Sequence, residues 1–258
     1  MIKIDRSTTP APEKLLADGP VAKAAIAALL AKQGDDALES GHFDGDVYAS
    51  APVKEALWEM QHHKCCFCEH AYERKFSTVE HFRPKTRVAR SRPSNRAQKQ
   101  LGYWWLAYEF ENLYFCCSNC NTPKGDYFPL GPGAAALPQG ALASAVVEDA
   151  LLLDPGNDQP EDHITFQTLP DGTYRIAPRN GSARGRETIE AAKLDRDDLD
   201  ELRDAHRRIY LDDVAALFAE VKGSEHEARA LGMARRLCAR SSPFALLART
   251  FFRDAGVL

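Results

Sequence analysis

Residues 65 to 84 read CCFCEHAYERKFSTVEHFRP, and residues 116 to 125 read CCSNCNTPKG. The fold turns on what these cysteines do. Cys65-x-x-Cys68 and Cys117-x-x-Cys120 have the spacing that lets both thiolates of a pair reach one tetrahedral zinc, with Zn–S near about 2.3 Å. Two such pairs in one chain predict a four-thiolate site. That site is closed to solvent, so its metal would contribute folding free energy rather than carry a reacting water. Cys66 and Cys116 adjoin the pairs and could compete as ligands, whereas Cys238 stands alone in a helical stretch and reads as core. Seven cysteines, six of them in two clusters, do not resemble a disulfide framework, and point to a reducing compartment.

A zinc joining 65–68 to 117–120 closes the chain between them into one small module. Glu80, His81 and Asn121 then fall within it. Glu80 and Asn121 offer oxygen donors suited to a hard cation such as Mg²⁺ or Mn²⁺. His81 titrates near neutrality and suits a general base. Alone, each is an ordinary surface residue; together they predict a site for phosphodiester hydrolysis.

Length and composition agree with a globular chain. At 258 residues it has room for one catalytic body with helical additions, and 44% hydrophobic against 27% charged residues is an ordinary globular balance. No run of about eighteen apolar residues occurs, and MIKIDRSTTPAPEK lacks the order of a signal peptide. The expectation is a soluble, cytoplasmic protein. The net charge of −4 argues against a surface that coats nucleic acid all over. Between Lys64 and Gln100, however, ten Lys and Arg residues stand against three Glu, so a polyanion would bind there.

Along the chain, PVAKAAIAALLAKQ (20–33) predicts a helix opened by Pro20. PVKEALWEMQHH (52–63) predicts another, with Val53, Leu57 and Met60 on one face. Phe76, Thr78 and Val79 favour a short strand stopped by Pro84. Residues 85 to 100 are polar and basic, with little to order them but a ligand. The aromatic run LGYWWLAYEFENLYFCC (101–117) should anchor the core. A Gly/Pro/Ala connector (131–143) follows, and a PDG turn between HITFQT and TYRIA signals a hairpin. One long helix is expected over 194–221, capped by Asp195, then a helical pair split near SSPF. The fold class is α+β, with a zinc-stapled ββα-metal core embedded in a mainly helical protein that ends in a β-hairpin and helices. The divisions fall at 1–62, 63–130 and 131–258, the last offering a possible partner-docking region.

The pattern C-x-x-C, E-H-F-x-P, E-N-L, C-x-x-C-N-x-x-K resembles the HNH (ββα-metal) endonucleases. The resemblance implies His81 as the base, Asn112 of ENL as the residue that orients the histidine loop, and Asn121 as the last motif letter. Lys124 falls on the lysine that usually follows, as a phosphate contact. Glu80 stands where relatives often have Asp, and Asn121 where many have His; both keep a donor atom. Arg83, Lys85 and Lys124 would meet nucleic acid, DNA rather than RNA, through its phosphates. The wider context, strongest over 65–130, is similar to the PtuB-type HNH subunits of Septu anti-phage systems and their retron-linked relatives. It implies a PtuA-like, ABC-type ATPase partner. The competing expectation is a zinc-stapled nucleic-acid-binding or adaptor module without catalysis, which would need no base and no paired oxygen ligands.

Overall fold

The computed structural model describes residues 1–142, 148–170 and 172–258. Helix α1 spans Glu13–Gln33, so it starts seven residues earlier than Pro20 suggests, and Pro20 lies inside it. Proline lacks only one donor and fixes a helical φ, so packing along the helix carries it past this point. Leu15 and Ile26 are buried on the inner side. A single turn, α2 (Gly45–Tyr48), is capped by the Asp44 carboxylate, which accepts from Asp46 N. Helix α3 (Ala51–Met60) buries Val53, Leu57 and Met60, the face the spacing predicts.

Strand β1 (Ser77–His81) begins one residue after Phe76, which belongs to a preceding 3₁₀ turn. Residues 85 to 100 are ordered by the chain itself, contrary to expectation. They contain β2 (Arg87–Val88), paired with β3 (Gln100–Leu101), and the guanidinium groups of Arg87, Arg90 and Arg92 are spent on internal acceptors. Arg87 donates to the carbonyls of Asp35 and Asp36 at 3.0 and 3.1 Å. Arg90 donates to Phe128 O and to the Tyr103 hydroxyl. Arg92 lies over the Tyr127 ring and donates to Lys124 O. Gly102 makes this closeness possible, because a Cβ there would stand 2.6 Å from the Lys85 carbonyl.

Strand β4 (Leu113–Cys117) is buried throughout and pairs antiparallel with β1, His81 opposite Leu113 and Ser77 opposite Cys117. Helix α4 (Ser118–Lys124) follows at once and ends at Gly125, whose φ of 51° suits glycine. Strand, strand and helix thus form one unit. Its outer strand face packs on the aromatic core of Phe82, Tyr103, Tyr114 and Phe128, as the aromatic run predicts.

The hairpin β5 (Ile164–Thr168) and β6 (Tyr174–Pro178) forms where expected. Asp171 of its predicted turn lies outside the described residues, as does Ala143, the last residue of the connector. Helix α5 (Ala183–Ala191) is capped by the Ser182 hydroxyl. The long helix expected over 194–221 is instead α6 (Asp197–His206) and α7 (Asp212–Val221), joined through one π-helical turn. Arg196, not Asp195, occupies its N-cap, without a side-chain bond. Helices α8 (Glu227–Leu237) and α9 (Ala245–Asp254) complete the chain, and Cys238 is buried between them. Among the described residues, no helix is long and apolar enough to cross a membrane.

Candidate functional site

The four predicted cysteines converge. Cys65, Cys68, Cys117 and Cys120 are all buried, and their sulfurs lie within 4.8 Å of one another. Cys68 and Cys117 Sγ are 3.9 Å apart, close to the edge of about 3.8 Å that a tetrahedral Zn–S₄ site requires. Burial pushes the Cys65 thiol well above its ordinary range, so a thiolate there needs a cation. Arg196 supplies part of one by donating to Cys120 Sγ at 3.5 Å. The donor set fits zinc and could hold it. Cys65, Cys66 and Cys116 form a second sulfur group, with Cys65 and Cys116 3.8 Å apart.

Gln61 locks this cluster to the sheet, a role the sequence did not announce. Its amide donates to Lys64 O and Phe115 O, and its oxygen accepts from Phe115 N at 2.8 Å. The cysteine knuckle and β4 therefore move as one body.

From β1, Glu80 and His81 enter a cleft of about 630 Å³ that Lys85, Asn121 and Asp126 also line, with Leu38–Ser40 forming the opposite wall. His81 is 6% exposed. Its Nε2 lies 3.0 Å from Ala107 O. A carbonyl can only accept, so Nε2 carries the proton and Nδ1 keeps the lone pair. Nδ1 is turned toward Lys85 Nζ, 3.5 Å away, and Tyr48 meets the ring edge-on at 4.7 Å. Burial, then the charge of Lys85, holds His81 well below the usual histidine range. The imidazole is therefore neutral at pH 7.

Asn112 is fully buried and clamps the chain that follows His81. It accepts from Arg83 N at 2.8 Å and donates to Arg83 O and Leu106 O. It thereby ties the Arg83 backbone to the same segment whose Ala107 carbonyl fixes the histidine ring. Asn121 spends its amide nitrogen on Thr78 Oγ1, 2.6 Å away, which leaves its oxygen as the group available to a cation.

The structure separates the three basic residues that the sequence grouped. Lys85 lines the cleft. Lys124 is 1% exposed and ion-paired with Glu80, and it also donates to His81 O at 3.2 Å. Its ammonium stands behind the carboxylate rather than on an open surface. Arg83, 7% exposed, points inward to Glu148 and Asp154, in a network where Tyr103 donates to Glu148 at 2.6 Å and Tyr114 donates to Asp154. Glu148 and Asp154 were not foreseen, although two acids flanking the apolar run ALLL of 150–153 are a usable signal for buried carboxylates with partners. Burial raises Glu80 against the opposing pull of Lys124 and Lys85. Its Oε1 is buried and is the oxygen that the Lys124 ammonium meets. Glu80 and Asn121 thus present oxygen donors in one cleft, a set that fits a hard divalent cation.

Among curated proteins, the chain is similar to the Septu protein PtuB of Bacillus mycoides (strain KBAB4), with 29% identity over 205 residues. The match takes in 79% of this chain and 66% of that protein's length, so the chain spans just under two thirds of the relative. This likeness supports a PtuB-like relative. No family model and no solved structure matches the chain.

Proposed function

We propose, taking the PtuB likeness as the starting point, that this chain is a metal-dependent HNH-type endonuclease. It would serve as the effector of an anti-phage defence complex with an ABC-type ATPase subunit. The observation that carries the reading is the state of His81: a neutral ring, its Nε2 proton held by Ala107 O, its Nδ1 lone pair facing Lys85 Nζ at 3.5 Å in a cleft that Glu80 and Asn121 also line. That is the arrangement a general base for water needs.

In this reading each side chain has one task. His81 accepts the proton of the attacking water at Nδ1. Asn112 fixes the loop so that the ring cannot turn. Glu80 and Asn121 would hold Mg²⁺ or Mn²⁺, which supplies charge stabilisation to the phosphate. Lys124 acts by positioning Glu80, and Lys85 is the cleft cation placed to meet a phosphate oxygen. Arg83 contributes through its backbone and its inward ion pairs, not through nucleic acid.

The test is cleavage of duplex DNA, single-stranded DNA and RNA by the chain together with the ATPase and ATP. Hydrolysis that stops with EDTA and returns with Mg²⁺ or Mn²⁺ is expected. Equal cleavage in EDTA would remove the metal from the account. Binding without any cleavage in the complete system would replace the nuclease with a zinc-stapled binding module.

A further inference from the structure

Three basic residues line the cleft around His81: Lys85, Arg87 and Lys99. Two of them are already spent on the chain. Lys99 is ion-paired with Asp126, and Arg87 donates to the carbonyls of Asp35 and Asp36, with the Asp36 carboxylate 3.8 Å away. Glu80, the nearby acid, is taken by Lys124. Lys85 is therefore left with no carboxylate at ion-pair distance among the described residues.

Its partners are aromatic instead. The ammonium lies over two ring faces, 4.8 Å from the centroid of Tyr48 and 5.5 Å from that of Phe43, with His81 Nδ1 3.5 Å away. A ring face attracts a cation through its quadrupole and carries no net charge. That difference matters to a ligand. A carboxylate would hold Lys85 and cancel its charge, so an incoming phosphate would have to displace it. Ring faces hold the ammonium in place and leave its whole charge to the cleft.

The rings are themselves anchored. Phe43 is buried just before the N-cap of α2, and Tyr48, half-buried, is the last residue of that turn. Between them Asp44 caps α2 with its carboxylate and gives its backbone N–H to the Tyr108 hydroxyl at 2.8 Å. Tyr108 adjoins Ala107, whose carbonyl holds the Nε2 proton of His81. One segment thus steadies both the rings and the imidazole. The Tyr48 hydroxyl makes no hydrogen bond among the described residues, so the ring is the part in use.

We propose that Phe43 and Tyr48 are positioning residues, which seat the Lys85 ammonium beside His81 without neutralising it, ready for a phosphate oxygen of the nucleic acid. This inference rests on the endonuclease reading above and adds the residues that hold its phosphate contact.

The experiment measures how the zinc-loaded full chain binds a short single-stranded DNA oligonucleotide, and how that binding depends on salt, with no Mg²⁺ or Mn²⁺ added. The variants are Phe43→Leu, Tyr48→Leu, Tyr48→Phe and Lys85→Met, and Tyr48→Leu is also combined with Lys85→Met. Tyr48→Leu should bind about five- to thirtyfold more weakly, the range of a cation–π contact out of water. Its salt slope should fall by up to about one, as for a lost phosphate contact. Tyr48→Phe, which keeps the ring face, should restore both. In the Lys85→Met background Tyr48→Leu should add nothing, because the seat is then empty. Should Phe43→Leu fail to fold, the Tyr48 and Lys85 cycle carries the test. Equal weakening by Tyr48→Leu with and without Lys85 would overturn the seat, since the loss would then come from the fold, and absence of binding by the wild type would overturn it too. Cleavage of the same oligonucleotide by the complete system, with ATPase, ATP and Mg²⁺, is read alongside. Coupling of Tyr48 to Lys85 without any cleavage would overturn the nuclease and keep the seat as a binding device; cleavage without coupling would overturn the seat alone.

Discussion

In the stretch from Gln61 to Phe128 the interior holds charge and sulfur: Lys124 against Glu80, Arg83 against Glu148 from the following segment, and four buried cysteine sulfurs within 4.8 Å of one another. In the stretch from α6 to α9 the interior is mostly Leu199, Leu211, Phe218, Leu247 and Phe252, with one buried ion pair, Arg203–Asp200, in α6. Both are equally buried, but they respond to different insults. An apolar core loses stability in proportion to the volume removed. A core of paired charges is indifferent to small volume changes and fails when one partner leaves, because the other is then an uncompensated buried charge. The site is built from the second kind of interior, which holds Glu80 and His81 in place at a cost in tolerance.

The largest effect should come from the cysteine cluster. Cys117→Ser, or zinc removal by a strong chelator, should unfold or aggregate the chain, since binding free energy of structural zinc, on the order of 10 kcal/mol in zinc-finger peptides, is folding free energy. Metal analysis should find about one zinc per chain; a folded, metal-free preparation would break the contrast between the two regions.

Next comes Lys124→Met. The side chain keeps its volume but strands Glu80, and a loss of about 3–5 kcal/mol is expected in urea unfolding. The sign of its pH dependence is fixed. Glu80 already titrates above its ordinary value through burial, and without Lys124 it rises further. The folded state then binds the proton more tightly than the unfolded one, so the loss should shrink as pH falls and grow as it rises. Phe252→Ala in α9, expected to cost a comparable 3–5 kcal/mol or so, should show no such dependence. Identical pH behaviour in the two variants would contradict the charged-interior account.

The smallest effect concerns Lys85. Its charge is the second cause of the lowered His81 value, after burial. Below that value the base is protonated and cleavage falls, so the acid limb of the rate profile should lie under the ordinary histidine value of about 6.5. Lys85→Ala should move that limb to higher pH while weakening phosphate binding. A limb that does not move would make Lys85 a bystander to His81.

The convergence of the cysteine pairs was legible because two pairs at fixed spacing suit one narrow chemistry, and Glu80, His81 and Asn121, singled out by type and position, line one cleft. The sequence also made the buried face of α3 legible through the spacing of Val53, Leu57 and Met60. It misplaced Lys124 and Arg83 because a lysine or arginine reads as surface until its partner is known, and Glu148 is 65 residues from Arg83. It expected loop 85–100 to need a ligand, since main-chain acceptors for Arg87, Arg90 and Arg92 carry no sequence signature. It ran α6 and α7 together because a π-turn changes no hydrophobic period enough to be seen in one chain. Tyr48 and the Leu38–Ser40 wall reach the site from a segment that carries no motif at all.

The most direct measurement is cleavage by His81→Ala in the complete system with partner, ATP and Mg²⁺. Loss of a general base is worth about 10² to 10⁴ in rate. The account predicts a fall of that size with zinc content, fold and nucleic-acid binding unchanged, and no rescue by added Mg²⁺ or Mn²⁺. Cleavage at the wild-type rate would contradict it and return Val79–Pro84 to an ordinary strand end.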